Sequence, residues 1–76
     1  MQEEIIKDFY HRIIGYVQTD SQGNKKAFDF YRRLLGTYNK QQNVTKDFYN
    51  RIIARGDAVV SLIYTEEAKR NTQRKR

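Results

Sequence analysis

DFYHRII, at residues 8–14, is the first of three copies of the pattern on which the fold prediction rests. The second copy is DFYRRLL at residues 29–35, and the third is DFYNRII at residues 47–53. Each copy reads Asp, Phe, Tyr, a variable polar residue, Arg and two aliphatic residues, and a Gly or Ala follows it. The copies begin at residues 8, 29 and 47, which is 21 and then 18 residues apart, so they do not form a strict solenoid repeat.

The spacing inside the pattern predicts an α-helix. Residues four positions apart are neighbours on a helix surface, so the Asp of each copy would lie beside its Arg, and the aromatic residues beside the aliphatic ones. The predicted ion pairs are Asp8 with Arg12, Asp29 with Arg33, and Asp47 with Arg51. Charged and apolar spacing both suit a helix rather than a strand. We therefore expect Phe9, Phe30 and Phe48 to lie in a hydrophobic core.

The predicted fold class is all-α, a small bundle of three helices with a long C-terminal helix. The expected helices cover residues 3–18, 25–39 and 45–70. Gly36 would weaken the second helix by about 1 kcal/mol relative to Ala. The apolar residues of the third helix keep their phase across Gly56, which favours one long helix. The alternative is a bundle of four helices, with a break at Arg55-Gly56-Asp57 and Asp57 capping the last helix.

Positive charge is concentrated at the C-terminal end of the chain. The net charge is +6, and residues 69–76 contain five Lys or Arg and no acidic residue, which leaves +1 for residues 1–68. We divide the chain into a helical bundle domain at residues 1–68 and a basic, flexible tail at residues 69–76. Charge asymmetry of this kind is typical of proteins that contact nucleic acid or another anionic surface.

The tail provides the strongest functional signal. Five cations in eight residues can neutralise phosphates and release counterions, which gives affinity without sequence specificity. A second basic group lies near the predicted second helix and would extend this surface if both lie on one side of the protein. The predicted nucleic-acid-binding residues are Lys69, Arg70, Arg74, Lys75, Arg76, Lys25, Lys26 and Arg32.

A helix-turn-helix at residues 28–54 is an alternative arrangement for DNA recognition. Its second helix would begin at Thr45 and present Lys46, Asn50 and Arg51 to a groove, and Asn and Arg are residue types that read base edges. The gap between Gly36 and Thr45 counts against it, because the motif has a short turn.

Catalytic and metal-binding chemistry lack a signature in the sequence. The chain contains no Cys and one His, and His11 occupies the variable polar position of the first copy, where we expect a solvent-facing side chain. We find no phosphate-binding glycine-rich loop, no activated nucleophile and no catalytic pair of acids. We therefore expect a protein that is not an enzyme and has no catalytic residues, cofactor or metal.

The function predicted first is a small non-enzymatic nucleic-acid-binding accessory or regulatory protein, with DNA favoured over RNA. The alternative is a protein-interaction module (an inhibitor, adaptor or immunity-type protein) that uses an aromatic-rich helical face. Binding to a membrane surface through a basic amphipathic helix is a third interpretation. We expect a cytoplasmic protein with no membrane span. The apolar stripe from Val59 to Tyr64 would need a partner if its helix protrudes. That partner is either the first helix of the chain or a second chain, and the second case would give a homodimer.

Overall fold

The computed structural model describes the backbone of residues 2–74 and the side chains of residues 2–69. Six strands and one helix are found in this part of the chain. They are β1 (Gln2–Lys7), β2 (Ile13–Thr19), β3 (Lys25–Asp29), β4 (Leu34–Asn39), β5 (Val44–Asp47), β6 (Ile52–Arg55) and α1 (Val59–Arg74). The all-α prediction is therefore wrong, because each of the first two predicted helices is a pair of strands and the third is helical only in its second half.

The strands form a single antiparallel meander. Their order in the sheet is β1-β2-β3-β4-β5-β6, so every strand pairs with its neighbour in sequence. The connections alternate between the two ends of the sheet. Residues 8–12, 30–33 and 48–51 form the three connections at one end, which we call the motif loops because each holds the centre of one sequence copy. Residues 20–24 and 40–43 form the connections at the opposite end.

The aliphatic ends of the sequence copies form the strands that leave the motif loops. Their registers repeat across the sheet, with Val17 opposite Ala27 and Ala27 opposite Gly36. Pairing between neighbouring strands satisfies the backbone hydrogen bonds that the predicted helices would have made internally. In a strand, successive side chains point to opposite faces of the sheet. The apolar residues therefore do not form the single helical stripe that the sequence predicted.

Helix α1 packs across β2, β3 and β4 and covers one face of the sheet. The core between them consists of Ile6, Ile14, Val17, Ala27, Val59 and Ile63. Two glycines allow the close approach, because a Cβ on Gly15 would stand 2.7 Å from Cγ2 of Ile63 and one on Gly36 would stand 2.6 Å from Cδ1 of Leu62. Gly36 was expected to weaken the second helix. It lies instead in β4, at the point where α1 crosses this strand.

The chain breaks at Gly56 before α1, where the alternative placed a break, but β6 and not a helix precedes it, so the four-helix bundle is wrong as well. Gly56 has a φ of +85°, which turns the chain after β6. Oδ1 of Asp57 then accepts a hydrogen bond of 3.3 Å from the amide of Val59, as a helix cap does. Thr45 of β5 stabilises this turn. Its hydroxyl donates a hydrogen bond to the Gly56 carbonyl at 2.6 Å and accepts one from the Ala58 amide at 2.9 Å. The preferred long helix from residue 45 is wrong.

The apolar stripe of α1 lies mainly against the chain's own sheet. Val59 and Ile63 are 1% and 0% exposed, and Leu62 packs against the same core. Val60 and Tyr64 remain partly exposed. Because the sheet buries the centre of the stripe, the reason for expecting a homodimer through it is removed. Within the described residues, no helix has the length and apolar character needed to cross a membrane.

Candidate binding surface at the motif loops

Each motif loop is organised by its aspartate. In the first loop, Oδ1 of Asp8 accepts hydrogen bonds from the amides of Tyr10 and Arg12 at 2.8 and 2.9 Å, and Oδ2 accepts from Nε of Arg12 at 3.0 Å. Asp29 and Asp47 make the same three bonds in their loops. An Asp side chain that takes up local amides offers the backbone an alternative to a helix. The predicted Asp–Arg pairs are thus confirmed, although they close hairpin loops instead of helical turns.

The variable residue of each copy adopts a left-handed backbone conformation. His11, Arg32 and Asn50 have φ values of 66°, 65° and 68°. This conformation cannot continue a right-handed helix, because it reverses the local hand of the chain. In the first loop it allows the amides of His11 and Asp8 to bond to the carbonyls of Asp8 and Arg12, at 3.0 and 2.9 Å. The result is a tight loop that directs the preceding Phe and Tyr away from the sheet.

The aromatic side chains of the three loops are exposed. Phe9, Phe30 and Phe48 are 88%, 45% and 62% exposed, and the tyrosines that follow them are exposed as well. The expectation that these phenylalanines form the core is therefore wrong. Their apolar surface lies at loop tips and not on a sheet face, so α1 does not cover it. Three Phe-Tyr pairs at one end of so small a domain form a candidate binding surface, since exposed apolar clusters commonly mark interaction sites.

The aromatic rings have the same arrangement in every loop. The Phe and Tyr rings meet edge to face, with centroids 5.4, 5.3 and 5.4 Å apart in chain order. The guanidinium carbon of the motif Arg lies 5.4 Å from the Tyr ring centroid in all three loops. One face of each Tyr is thus held by a cation–π contact. The Phe projects beyond this support, most of all at Phe9.

Helix α1 runs toward the motif loops. It begins beside Thr45, at the opposite end of the sheet. Further along, Glu67 lines a cleft with Arg12 and Phe30. Lys69 lines a second cleft with Phe48, at the third loop. The helix continues for five residues to Arg74, which adds about 7.5 Å at 1.5 Å per residue. The basic end of α1 is therefore on the same side of the molecule as the aromatic loops.

The motif loops contribute little net charge. Each motif Arg is paired with its Asp at 2.9 to 3.0 Å. The backbone amide of Arg12 lowers the pKa of Asp8 below its usual value of 3.8, and the amide of Arg51 does the same for the pKa of Asp47. Both aspartates are consequently ionised at neutral pH and balance their arginines. At this end of α1 the exposed side chain of Lys69 is cationic, and the sequence has four more Lys or Arg after it.

The other candidate binding residues are distributed over different parts of the sheet. Lys25 forms an ion pair with Asp57, just before α1. Lys26, the next residue in β3, points to the opposite face by strand alternation and is exposed. Both lie at the β3 end remote from the motif loops. The structure therefore does not bring this basic pair together with Lys69.

Arg32 belongs to the second motif loop, but its side chain turns back over the sheet face that α1 leaves open. Its guanidinium donates to both carboxylate oxygens of Glu3, at 3.2 and 3.0 Å, and lies 4.0 Å from the ring centroid of Tyr16. The paired carboxylate raises the pKa of Arg32, and Arg32 lowers the pKa of Glu3. Arg32 thus links the second motif loop to β1 and β2.

The tail is only partly described. Lys69 is exposed on α1, whereas the side chains of Arg70 and Arg74, together with Lys75 and Arg76, lie outside the described residues. His11 is exposed in the first motif loop. Among the described residues, no group of three or more His, Cys, Asp or Glu side chains is arranged to hold a metal ion.

Sequence reasoning assigned the motif phenylalanines to the core, and its alternative function used an aromatic-rich helical face, so neither prediction placed the aromatic residues on loops. One signal was available in the variable position, since His and Asn adopt positive φ more readily than most residues. Comparison of the chain with protein-family models, curated proteins and solved structures finds no match. Function must therefore be argued from the geometry of this surface.

Proposed function

We propose that this protein is a small, non-enzymatic nucleic-acid-binding protein and that its contact surface is the end of the sheet formed by the motif loops and the C-terminal part of α1. One observation carries the proposal: α1 brings Lys69, the first of five Lys or Arg in the last eight residues of the sequence, to the end of the sheet where three exposed aromatic loops lie. Positive charge beside exposed aromatic residues is a combination that nucleic-acid-binding surfaces use.

Charge supports a polyanionic ligand. Residues 69–76 carry +5 in the sequence without an acidic residue. In the motif loops each Asp is paired with an Arg, and Arg32 of the second loop is paired with Glu3. A phosphate backbone would gain from the cations and meet no uncompensated aspartate in the loops. Glu66 and Glu67 precede Lys69 on the same helix, so the uninterrupted positive charge of the sequence begins at Lys69.

The proposal is tested by measuring the affinity of fluorescent oligonucleotides across a salt series. The test variant Lys69→Gln/Arg70→Gln removes two charges from α1. The matched control Lys26→Gln/Lys40→Gln removes two exposed charges from the parts of the sheet remote from the motif loops. Both double variants have the same net charge. A difference in affinity between them therefore reports the position of the removed charges and not the change in net charge.

We expect the α1 variant to bind more weakly and to reduce the slope of log affinity against log salt by about 1.5 units for two lost phosphate contacts. The control should keep nearly the full slope. Equal losses in both variants would contradict the proposed surface, and absence of binding at low salt would contradict the function. In that case the neutral aromatic loops would favour the alternative, a protein-interaction module.

A further inference from the structure

The three motif loops repeat one surface unit at regular intervals. Successive loops are two strands apart in the meander. Neighbouring strands are about 4.8 Å apart, so the loops follow one another at about 10 Å and span roughly 20 Å. A row of equivalent units suits a linear polymer that offers the same chemical group repeatedly, and all four nucleobases have a flat aromatic face.

We infer that the Phe-Tyr loops are base-stacking sites, so that the ligand is a single strand with unpaired bases rather than a duplex. This inference rests on the proposed function. In a duplex, each base already stacks on its neighbours and presents only its edges in the grooves. A flexible single strand can turn its bases onto exposed rings, as happens on other single-strand-binding surfaces.

The structure of the loops suits stacking. The Tyr of each loop is held by the motif Arg on one face and by the edge-to-face contact with Phe, so the pair is partly ordered before a ligand arrives. Phe9 and Phe48 are the most exposed of the three phenylalanines. Preordered rings lose little conformational freedom on binding, which favours affinity.

The basic end of α1 complements the rings. Lys69 lines the cleft beside Phe48, and the sequence has Arg70 and Arg74 after it within the bounds of α1. A strand with bases on the loops can direct its phosphates toward this helix end. Two separable interactions follow: stacking depends on the bases, and the salt-dependent part of binding depends on the phosphates.

The test compares three ligands of equal length: a single strand, the same strand with abasic sites, and a duplex. The full chain is titrated by fluorescence anisotropy, together with Phe9→Leu/Phe48→Leu and the control Phe9→Trp/Phe48→Trp. Leucine keeps an apolar side chain without a ring, whereas tryptophan keeps the ring. The natural sequence contains no Trp, so the control also supplies a local fluorescence signal. Melting curves verify that all variants are folded.

We expect the single strand to bind at least tenfold more tightly than the abasic strand and the duplex. The leucine variant should lose most of that difference with an unchanged salt slope, and the tryptophan variant should retain it, with quenching by the single strand alone. Equal binding of all three ligands would overturn the stacking inference and leave the proposed function standing. Binding of none would overturn both and direct attention to a protein partner.

Discussion

Cγ2 of Ile63 in α1 lies 2.7 Å from the position that a Cβ on Gly15 would occupy. The helix thus contacts the sheet directly at this glycine, and Gly36 has the same relation to Leu62 at 2.6 Å. The third residue at this place in the pattern is Ala54, in the edge strand β6. Gly15 and Gly36, which follow the first two sequence copies, therefore lie directly under α1.

Gly15→Ala and Gly36→Ala should each lower the free energy of unfolding by about 1–3 kcal/mol. The added methyl group would overlap the Phe28 or Lys46 carbonyl oxygen of the neighbouring strand and overpack the contact with Ile63 or Leu62 of α1. Chemical denaturation measures the change. Ala54→Gly is the control at the equivalent position and should cost no more than about 1 kcal/mol, from backbone entropy. Unaltered stability of both alanine variants would refute the close contact.

Phe9→Ala and Phe48→Ala should change the free energy of unfolding by less than about 1 kcal/mol, because both side chains are mostly exposed. Ile63→Ala, at a fully buried position, should cost about 2–5 kcal/mol. Thermal melting of the three variants provides the comparison. A loss at Phe9 as large as that at Ile63 would show that Phe9 is packed in the core instead of exposed at a loop tip.

Asp29→Ala should be more destabilising than Asp47→Ala. Asp29 is only 2% exposed and accepts three hydrogen bonds, from the Tyr31 and Arg33 amides and from Nε of Arg33. Removing its carboxylate leaves donors unsatisfied near the core, at a cost of about 3 kcal/mol. Asp47 has the same bonds in a more solvated loop, and water can replace them. Equal losses in the two variants, measured in urea, would show that burial makes no difference here.

Acid should weaken the first and third motif loops. The pKa values of Asp8 and Asp47 are lowered, chiefly by the amides of Arg12 and Arg51. A lowered folded-state pKa contributes stability that is present above the usual value of 3.8 and is lost as the pH falls through the folded pKa. We expect the urea concentration at the unfolding midpoint to decrease when the pH is lowered below about 4. The decrease should be smaller in Asp8→Asn/Asp47→Asn, which cannot titrate at these positions. Identical pH profiles for both proteins would argue against this origin.

Several features were determined by the sequence alone. The Asp–Arg pairs follow from their spacing of four residues, and they are present in all three copies. The stripe from Val59 to Ile63 predicted a helix there, and Asp57 was identified as a cap in the alternative with a break at Gly56. The concentration of charge after residue 68 is also a property of the sequence itself. Each of these depends on interactions between residues close together in the chain.

The tertiary structure decided whether the motif is helix or hairpin, and hence where its aromatic residues lie. A spacing of four brings Asp8 beside Arg12 both on a helix and in a loop that the Asp side chain closes, so local spacing does not distinguish them. The choice depends on strand pairing over many residues, such as Val17 with Ala27, and on α1 covering the resulting sheet at Gly15. Once the sheet forms, Phe9 and Phe48 occupy loop tips and become surface instead of core.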